Sequence, residues 1–296
     1  MHKAIRICAL VGKFQDARVS ECTGPLITAL HERGLQVLAL DENPAGIPAG
    51  AVASSAAHII ERAELIIAIG GDGTLLYAAG LVAGADIPLL GINRGRLGFL
   101  TDVLPQDLLH SLDAVLAGEC EADRRPLLQA RLFAADGGEV SHCALNDVVF
   151  NRLESGRMLD FETHVDGRYV NSHGGDGLVV ATATGSTAYA LSCGGPIVDP
   201  RLTVLVLAPI CPHTLSDRPI IVPGESIIEI RLIGPHDSVA QVTCDASVLG
   251  HLQPGGRLQV APSGRTVTLL HPAGYDYFRL LRSKLHWGLG ALVHER

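Results

Sequence analysis

The sequence has few charged and aromatic residues and no long apolar run. Charged residues make up 18% and aromatic residues 4% of the 296 positions, whereas hydrophobic residues make up 47%. This balance excludes a disordered chain, which combines low hydrophobicity with high charge. The most apolar run, 202–211, contains Pro209 and is far shorter than the roughly 20 residues of a transmembrane helix. The sequence therefore predicts a folded protein without a membrane span.

The chain also lacks an excess of positive charge and a targeting segment. Lys and Arg number 23 against 31 Asp and Glu, so the net charge is -8, and no basic run is present. We therefore expect no nucleic-acid partner, and an anionic ligand must be bound by local N–H groups or a few cations. Arg6 interrupts the apolar patch near the N-terminus and no small-residue cleavage site follows it, so we expect no signal peptide.

Paired cysteines and metal-binding spacings are missing as well. The 7 cysteines are scattered, odd in number and outside any C-x-x-C arrangement, which favours reduced thiols in the cytoplasm. The 13 histidines show no spacing such as H-E-x-x-H. We therefore expect no permanent metal site.

The apolar pattern divides the chain into an α/β part and a β part. In residues 1–123, short apolar runs alternate with amphipathic stretches, which predicts an α/β domain with a parallel sheet. Residues 124–272 predict a mostly antiparallel β domain, because short alternating runs are separated by glycine-containing turns such as Asp166-Gly167. Residues 273–296 return to helical spacing and can pack back on the first domain. The predicted strands of the β part include 161–165, 168–171, 227–233, 240–244, 257–261 and 266–270.

A glycine-rich turn, Gly70-Gly71-Asp72-Gly73-Thr74, lies between an apolar run and a predicted helix. Glycines let the backbone approach a phosphate at the helix end that favours negative charge. The turn fits neither G-x-G-x-x-G nor the P-loop pattern. Two interpretations stay open: a phosphate-binding turn whose Asp72 handles a proton or a metal, or a tight turn in which Asp72 caps the helix.

Two further polar clusters interrupt apolar segments. Asn146 and Asp147 stand side by side in the run 144–149, where ribose hydroxyls would suit them as hydrogen-bond partners. The stretch 174–196 combines glycines, hydroxyls, an acid and Tyr189, which suits the sugar and base of a nucleotide. The alternatives are a β-bulge or a strand start with backbone partners at the first cluster and a serine-rich loop that caps a helix at the second. Ser186 lacks the G-x-S-x-G context of a catalytic serine.

In this order, the motifs resemble the ATP-dependent NAD kinase family in its bacterial form. The resemblance runs through nearly the whole chain, and although each segment alone is weakly specific, the ordered set is highly specific. The matching segments are Val11-Gly12-Lys13, Gly70 to Leu75, Gly91-Ile92-Asn93, Leu97 to Leu100, Leu145-Asn146-Asp147, Asp176-Gly177-Leu178, Thr184 to Tyr189, Pro212 to Ser216, Cys244-Asp245 and Leu285 to Gly288.

This resemblance implies transfer of the γ-phosphoryl group of ATP to the 2′-hydroxyl of the adenosine ribose of NAD, giving NADP. It implies an active site in a crevice between an α/β and a β domain, Mg²⁺ or another divalent cation that arrives with ATP, and a homodimer or homotetramer. Asp72 would accept the proton, and the amides of 70–74 would help to neutralise the phosphates. The implied nucleotide-binding residues are Asp72, Gly73, Asn146, Asp147, Arg157, Asp176, Thr187, Ala188, Tyr189, Ala190, Leu191, Ser192 and Asp245.

The sequence departs from the family pattern in three places. Gly174-Gly175 stands where relatives tend to have Arg-Ser, which removes a cation, and Arg96 stands where Asn is commoner. Ala246-Ser247 replaces a usual Gly-Gln or Ser-Gln, so a side-chain amide contact is lost there. None of these departures changes Asp72, Asn146, Asp147 or Asp176.

Two other functions stay open. Lipid kinases of the diacylglycerol or sphingosine type also carry Gly-Gly-Asp-Gly-Thr, but Asn146-Asp147 and the segment 184–189 follow the NAD kinase pattern, and no membrane-docking amphipathic segment is evident. A non-catalytic NADP(H)-binding sensor would keep the pocket without turnover, and the intact Asp72 argues against it.

Overall fold

The computed structural model describes residues 5–41, 46–95, 97–153, 158–234 and 238–286. Arg157 and Arg96, both singled out from the sequence, lie outside the described residues. The chain divides into two compact units. The first combines the residues up to Arg124 with those from Val267 onward, and the second spans Arg125–Thr266.

The described residues form strands and helices in the following chain order. The N-terminal part contains β1 (Ile7–Gly12), α1 (Ala17–Glu32), β2 (Gln36–Leu40), β3 (Val52–Ser54), α2 (Ala56–Arg62), β4 (Leu65–Gly70), α3 (Asp72–Leu81), β5 (Leu89–Asn93) and α4 (Leu108–Ala117), the last preceded by a 3₁₀ turn at Pro105–Asp107. Next come β6 (Cys120–Phe133), β7 (Glu139–Ala144), β8 (Asp147–Arg152), β9 (Leu159–Val165), β10 (Arg168–Gly175), β11 (Gly177–Thr182), a 3₁₀ turn at Thr184–Thr187, α5 (Tyr189–Ser192) and β12 (Val204–Ile210). The chain continues with β13 (Ile220–Pro223), β14 (Ile228–Leu232), β15 (Ala240–Cys244), β16 (Ser247–Leu252), β17 (Arg257–Pro272) and α6 (Tyr277–Leu285).

The first unit contains a parallel sheet in the order β5-β4-β1-β2-β3. The end of β17 adds a further parallel strand, with Leu269 opposite Leu89. All residues of β4 are buried, as expected for a parallel strand that is covered on both faces. This arrangement brings the carboxyl ends of β1, β4 and β5 to one edge of the sheet.

The second unit is built from antiparallel strands. One six-stranded sheet has the order β13-β12-β11-β8-β15-β16, and β10, β9, β14 and the start of β17 form antiparallel pairs in that order. Phe150 and Phe161 meet edge to face in the core, with ring centroids 5.0 Å apart. The predicted α/β and antiparallel β fold class is therefore confirmed.

Local turn chemistry follows the sequence in some places and departs from it in others. Asp166 and Gly167 have φ values of 51° and 74°, as the predicted hairpin turn requires. The two predicted strands 257–261 and 266–270 form the single strand β17, and between them the Ser263 hydroxyl accepts the Arg265 N–H at 3.0 Å. No helix in the described ranges is long and apolar enough to cross a membrane.

The turn between β15 and β16 has an unfavourable residue at one position. Ala246 has a φ of 67°, in the left-handed region where a Cβ crowds the backbone. We expect Ala246→Gly to raise the free energy of unfolding by up to about 1 kcal/mol, because the relieved strain exceeds the extra entropy of an unfolded glycine. Urea unfolding measures this change. The control is Ala273→Gly, at an exposed turn residue outside the left-handed region, and equal destabilisation by both substitutions would contradict the prediction.

Candidate active site

The glycine-rich turn connects β4 directly to α3. Gly71 is the N-cap residue, with φ −116° and ψ −172°, and the helix begins at Asp72. A Cβ at Gly70 would lie 2.2 Å from Thr74 Oγ1, so only glycine fits at that position. The turn therefore brings the backbone close to the first turn of α3, where helix N–H groups lack intrahelical partners and attract anions.

The Asp72 side chain does not cap α3. Its Oδ2 accepts the Phe99 N–H at 2.8 Å, and its Oδ1 accepts the N–H groups of Leu100 at 3.0 Å and Thr101 at 3.1 Å. The Thr101 hydroxyl donates to Oδ1 at 3.0 Å, which is the fourth hydrogen bond to this carboxylate. The capping interpretation is therefore wrong, because the carboxylate is oriented by a segment 27 to 29 residues further along the chain.

The segment 97–101 is closely fitted to Asp72. A Cβ at Gly98 would lie 2.0 Å from Asp72 Oδ1, so this contact needs glycine. Asn93 Nδ2 donates to Thr101 Oγ1 at 2.9 Å, and both residues are buried. Because a carboxylate oxygen accepts about two hydrogen bonds, Oδ2 keeps acceptor capacity for one more donor, whereas Oδ1 is fully used.

A cleft of about 820 Å³ lies at the carboxyl ends of β1, β2 and β4. Gly70, Gly71, Gly73 and Thr74 line one side of it, and Lys13 and Arg94 are the cations among its lining residues. Ligands of open α/β sheets bind at this edge. The cleft can therefore hold an anionic ligand with N–H groups, a hydroxyl and the charge of Lys13, since Asp16, which also lines the cleft, offsets the charge of Arg94.

The sequence motifs predicted no role for Lys13 and Arg94. Each follows directly after the last residue of a parallel strand, β1 or β5, and that position is the signal that could have identified them. Arg94 Nη1 lies 2.5 Å from Asp16 Oδ2, and Asp16 also caps α1 by accepting the Arg18 N–H at 3.0 Å. Arg94 is thus held at the rim of the cleft by an ion pair.

In the second unit, Asp147 lies at the start of β8 and is buried, with 6% of its surface exposed. The Tyr189 backbone N–H donates to it, so two of the predicted nucleotide-binding clusters meet at this carboxyl group. Burial, together with the nearby Asp245 charge, raises the pKa of Asp147 to about 7, which the Tyr189 hydrogen bond opposes. Asp147 can therefore act as a donor or an acceptor near neutral pH.

Asp245 orients the entry into β8. Its carboxylate accepts the N–H groups of Leu145 at 2.6 Å, Asn146 at 2.8 Å and Asp147 at 3.2 Å. Burial raises the pKa of Asp245, and these three hydrogen bonds oppose the rise. Asp245 thus fixes the backbone that carries the predicted Asn146-Asp147 pair.

The segment 184–192 is anchored to the same backbone. Thr182 Oγ1 donates to the Leu145 carbonyl at 2.6 Å and accepts the Gly185 N–H at 3.1 Å. A Cβ at Gly185 would lie 2.1 Å from the Asn146 carbonyl oxygen, so the close approach requires glycine. The Thr184–Thr187 turn therefore stays next to Asn146.

The residues of the segment 184–192 differ in burial and in their hydrogen-bond partners. Thr184 is buried and accepts a hydrogen bond from Arg125 Nη1 at 3.0 Å, and the buried Ser186 accepts the Val198 N–H at 3.0 Å. Both hydroxyls therefore hold the fold together, and a nucleophilic Ser186 is excluded. Of the predicted ligand residues, Ala190 is buried in the core, Thr187, Ala188 and Leu191 are half-buried, and Tyr189 and Ser192 are exposed.

Asp176 lies just before β11 and forms an ion pair with Arg152, whose Nε is 3.1 Å from Asp176 Oδ1. Arg152 was missed by the sequence reasoning. Gly174, where relatives tend to have a cation, has room for a side chain, because a Cβ there meets only Asp160 Oδ1, at 3.4 Å.

An anion-binding cleft at the carboxyl edge of a parallel sheet, together with buried carboxyl groups beside an exposed tyrosine, defines a nucleotide-binding protein. The ATP-NAD kinase N-terminal domain matches residues 45–120, and the ATP-NAD kinase C-terminal domain matches residues 145–271. This chain belongs to the NAD kinase family, which confirms the resemblance predicted from its motifs.

Relatives match this chain over nearly its whole length. The NAD kinase of Nitrosococcus oceani is 42% identical over 289 residues, which cover 97% of this chain and 99% of the relative. The NAD kinase of Ralstonia nicotianae is 43% identical over 284 residues, which cover 94% of this chain and 92% of the relative.

Two solved structures share the fold. The yeast NADH kinase complexed with NADH superimposes with a TM-score of 0.88 and 25% identity, covering 97% of this chain and 89% of that chain. An NAD kinase from Archaeoglobus fulgidus in complex with ATP has a TM-score of 0.73 and 27% identity, covering 94% of this chain and 99% of that chain.

The raised pKa of Asp147 predicts a pH-dependent stability. Between its ordinary value of 3.8 and about 7, folded Asp147 binds more protons than unfolded Asp147, so stability is lost as the pH rises through this window. We therefore expect Asp147→Asn to be more stable than the wild type at about pH 8, by about 1–4 kcal/mol, with a smaller advantage at about pH 5. Urea unfolding at both pH values measures the difference.

The matched control is Asp199→Asn, since hydrogen bonds from Arg201 lower the pKa of Asp199 to about 2. Asp199 stays ionised in both states across this window, so its substitution should lower stability by the same amount at both pH values. An Asp147→Asn advantage that does not grow with pH would show that the carboxyl group is ionised throughout.

Proposed function

We propose that this protein transfers the γ-phosphoryl group of ATP to the 2′-hydroxyl of the adenosine ribose of NAD, giving ADP and NADP. The observation that carries the proposal is the Asp72 carboxylate, which the amides of Phe99, Leu100 and Thr101 hold between Gly71 and Gly73, two residues that line a cleft suited to phosphates. The names of the relatives support this reaction, and they do not favour a lipid kinase or a non-catalytic sensor.

Asp72 accepts the proton of the attacking hydroxyl. A ribose hydroxyl is a poor nucleophile at neutral pH, so a carboxylate within hydrogen-bond reach helps as the new O–P bond forms. The bond between the γ-phosphorus and the bridging oxygen breaks, and ADP leaves with that electron pair. Oδ2 is the reacting oxygen, because Oδ1 already accepts three hydrogen bonds.

The cleft of the first unit binds the phosphates of ATP. Gly70, Gly71, Gly73 and Thr74 line it. Their amides bind the phosphates, Gly73 contacts the nucleotide, and Lys13 and Arg94 balance negative charge. Among the described residues, no group of three His, Cys, Asp or Glu side chains could hold a metal ion. Mg²⁺ arrives with ATP, because this ion commonly keeps water ligands and binds substrate phosphate oxygens.

The clusters of the second unit bind NAD. Asn146 and Asp147 bond to ribose hydroxyls, and the exposed ring of Tyr189 stacks on a base. Asp176 and the segment 187–192 complete this site, and Asp245 contributes by fixing the backbone of 145–147. Arg157, outside the described residues, supplies a further positive charge by its sequence position.

We also propose a cytoplasmic location and a homodimer or homotetramer. All seven cysteines are free, which suits a reducing compartment. The edge strand β13 exposes Ile220 and Ile221 by 39% and 50%, and apolar side chains of this kind suit a contact between subunits.

The role of Asp72 predicts a specific loss of turnover. Asp72→Asn keeps the size of the side chain but cannot accept a proton, so kcat should fall about 10²- to 10⁴-fold while the dissociation constant for NAD changes little. Steady-state kinetics and calorimetry on one preparation measure both. The control is Asp276→Asn at the N-cap of α6, where the carboxylate accepts the Phe278 N–H at 2.9 Å. Near-wild-type turnover of Asp72→Asn would remove Asp72 from the mechanism.

The division of substrates between the two units predicts opposite kinetic effects. Lys13→Ala should raise KM for ATP and leave KM for NAD within about twofold, since it removes a cation from the phosphate cleft. Asp147→Ala should do the reverse, because it removes a ribose partner. Initial rates over a grid of both substrate concentrations measure the two constants. A fall of kcat without the corresponding KM change in either variant would contradict its assignment.

A further inference from the structure

His271 is a buried histidine that the proposed reaction does not use. It lies near the end of β17 with only 1% of its surface exposed. Its Nδ1 is 2.8 Å from Asp102 Oδ2, its Nε2 is 3.6 Å from Asp123 Oδ2, and its ring stacks on Tyr275 with centroids 3.9 Å apart. These are the titratable groups that face it, and all of them belong to the first unit.

Asp102 directly follows the segment that orients Asp72. The N–H groups of Phe99, Leu100 and Thr101 hold the Asp72 carboxylate, and the next side chain in sequence is held by His271. The following residue, Val103, accepts the Asn93 N–H at 2.8 Å and so ties the same stretch to β5. The stretch 97–103 is therefore fixed at its far end by β5 and His271.

We propose that His271, as an imidazolium between Asp102 and Asp123, is a positioning residue that fixes the segment 97–102 and thereby orients Asp72 for proton acceptance. This inference rests on the proposed function of Asp72. His271 itself touches neither substrate nor reacting atoms in this scheme.

The charge of His271 is set by competing effects. Burial lowers the pKa of His271, but the hydrogen bond and charge of Asp102, together with the charge of Asp123 at 3.6 Å, outweigh it and raise the pKa to about 9. Asp102 Oδ1 is buried without a hydrogen-bond partner among the described residues, which makes the carboxylate depend on the imidazolium. Since the folded pKa lies above the ordinary value of 6.5, the stabilisation is complete below about pH 6.5 and is lost as the pH rises through about 9.

The test compares His271→Gln with His110→Gln, which removes an exposed histidine from α4 in the same unit. Glutamine keeps a hydrogen-bond donor but carries no charge. We expect His271→Gln to lower kcat about tenfold to a hundredfold at about pH 7, with KM for NAD within about twofold of the wild type. The wild type should lose kcat as the pH rises through about 9, and His271→Gln should lack that limb of the pH profile.

Hydrogen exchange supplies a readout that does not depend on turnover. The amides of 99–101 should exchange faster in His271→Gln than in the wild type or His110→Gln, and the wild-type amides should lose protection above about pH 9. This readout separates the two proposals. An active Asp72→Asn would overturn the role of Asp72, whereas unchanged exchange in His271→Gln would overturn the positioning role of His271.

Asp123→Asn is a second variant, which tests the positioning role of His271 if His271→Gln does not fold. It leaves the Asp102 hydrogen bond in place but removes one negative charge, so it should move the alkaline limb of kcat to lower pH. A purely structural role predicts no such movement. The proposal would be overturned if these variants kept the wild-type kcat, the same alkaline limb of the pH profile and protected amides at 99–101.

Discussion

The candidate site of the first unit depends on one interaction, the hydrogen bonds between the Asp72 carboxylate and the amides of Phe99, Leu100 and Thr101. These contacts require the β4–α3 turn to lie against a segment that follows β5. They explain why Gly98 must be glycine, because a Cβ there would lie 2.0 Å from Asp72 Oδ1. They also orient the carboxylate in advance, so less reorganisation is needed when a substrate hydroxyl arrives.

In the second unit, backbone N–H groups also bind carboxyl groups, but two neighbouring acids there differ in their environments. Asp245 accepts three backbone N–H groups at the start of β8, and the neighbouring Asp147 receives one, from Tyr189. The better-bonded carboxylate orients the backbone, whereas burial raises the pKa of Asp147 to about 7. Asp245, in the turn after β15, therefore orients the backbone, whereas we propose that Asp147, at the start of β8, binds the ligand, since the environments of the two acids differ.

Sequence patterns predicted the features that arise from local chemistry. Alternation of apolar runs predicted both sheet types, and Asp166-Gly167 predicted a turn with two positive φ values. Contacts between distant segments were not predicted, because no local pattern encodes them. The partners of Asp72 lie 27 to 29 residues away, and Lys13 and Arg94 line one cleft only because β1 and β5 end at the same sheet edge. The hydroxyl-rich stretch 174–196 suggests a nucleotide site, yet its Thr184 and Ser186 hydroxyls are buried and bond to Arg125 and Val198.

The parallel pairing of β17 with β5 has a consequence for biosynthesis. Leu269 pairs with Leu89 across about 180 residues of chain, a distance that a ribosome covers in roughly 10–40 s at about 5–20 residues per second. During that interval Leu89 and Leu90 lack their β17 partners, while Ile92 is already paired with Val103, and the unpaired apolar part of the edge is open to aggregation or chaperone binding. The same late arrival brings His271 to Asp102. The first unit is therefore completed only after Arg125–Thr266, the second unit, has been synthesised.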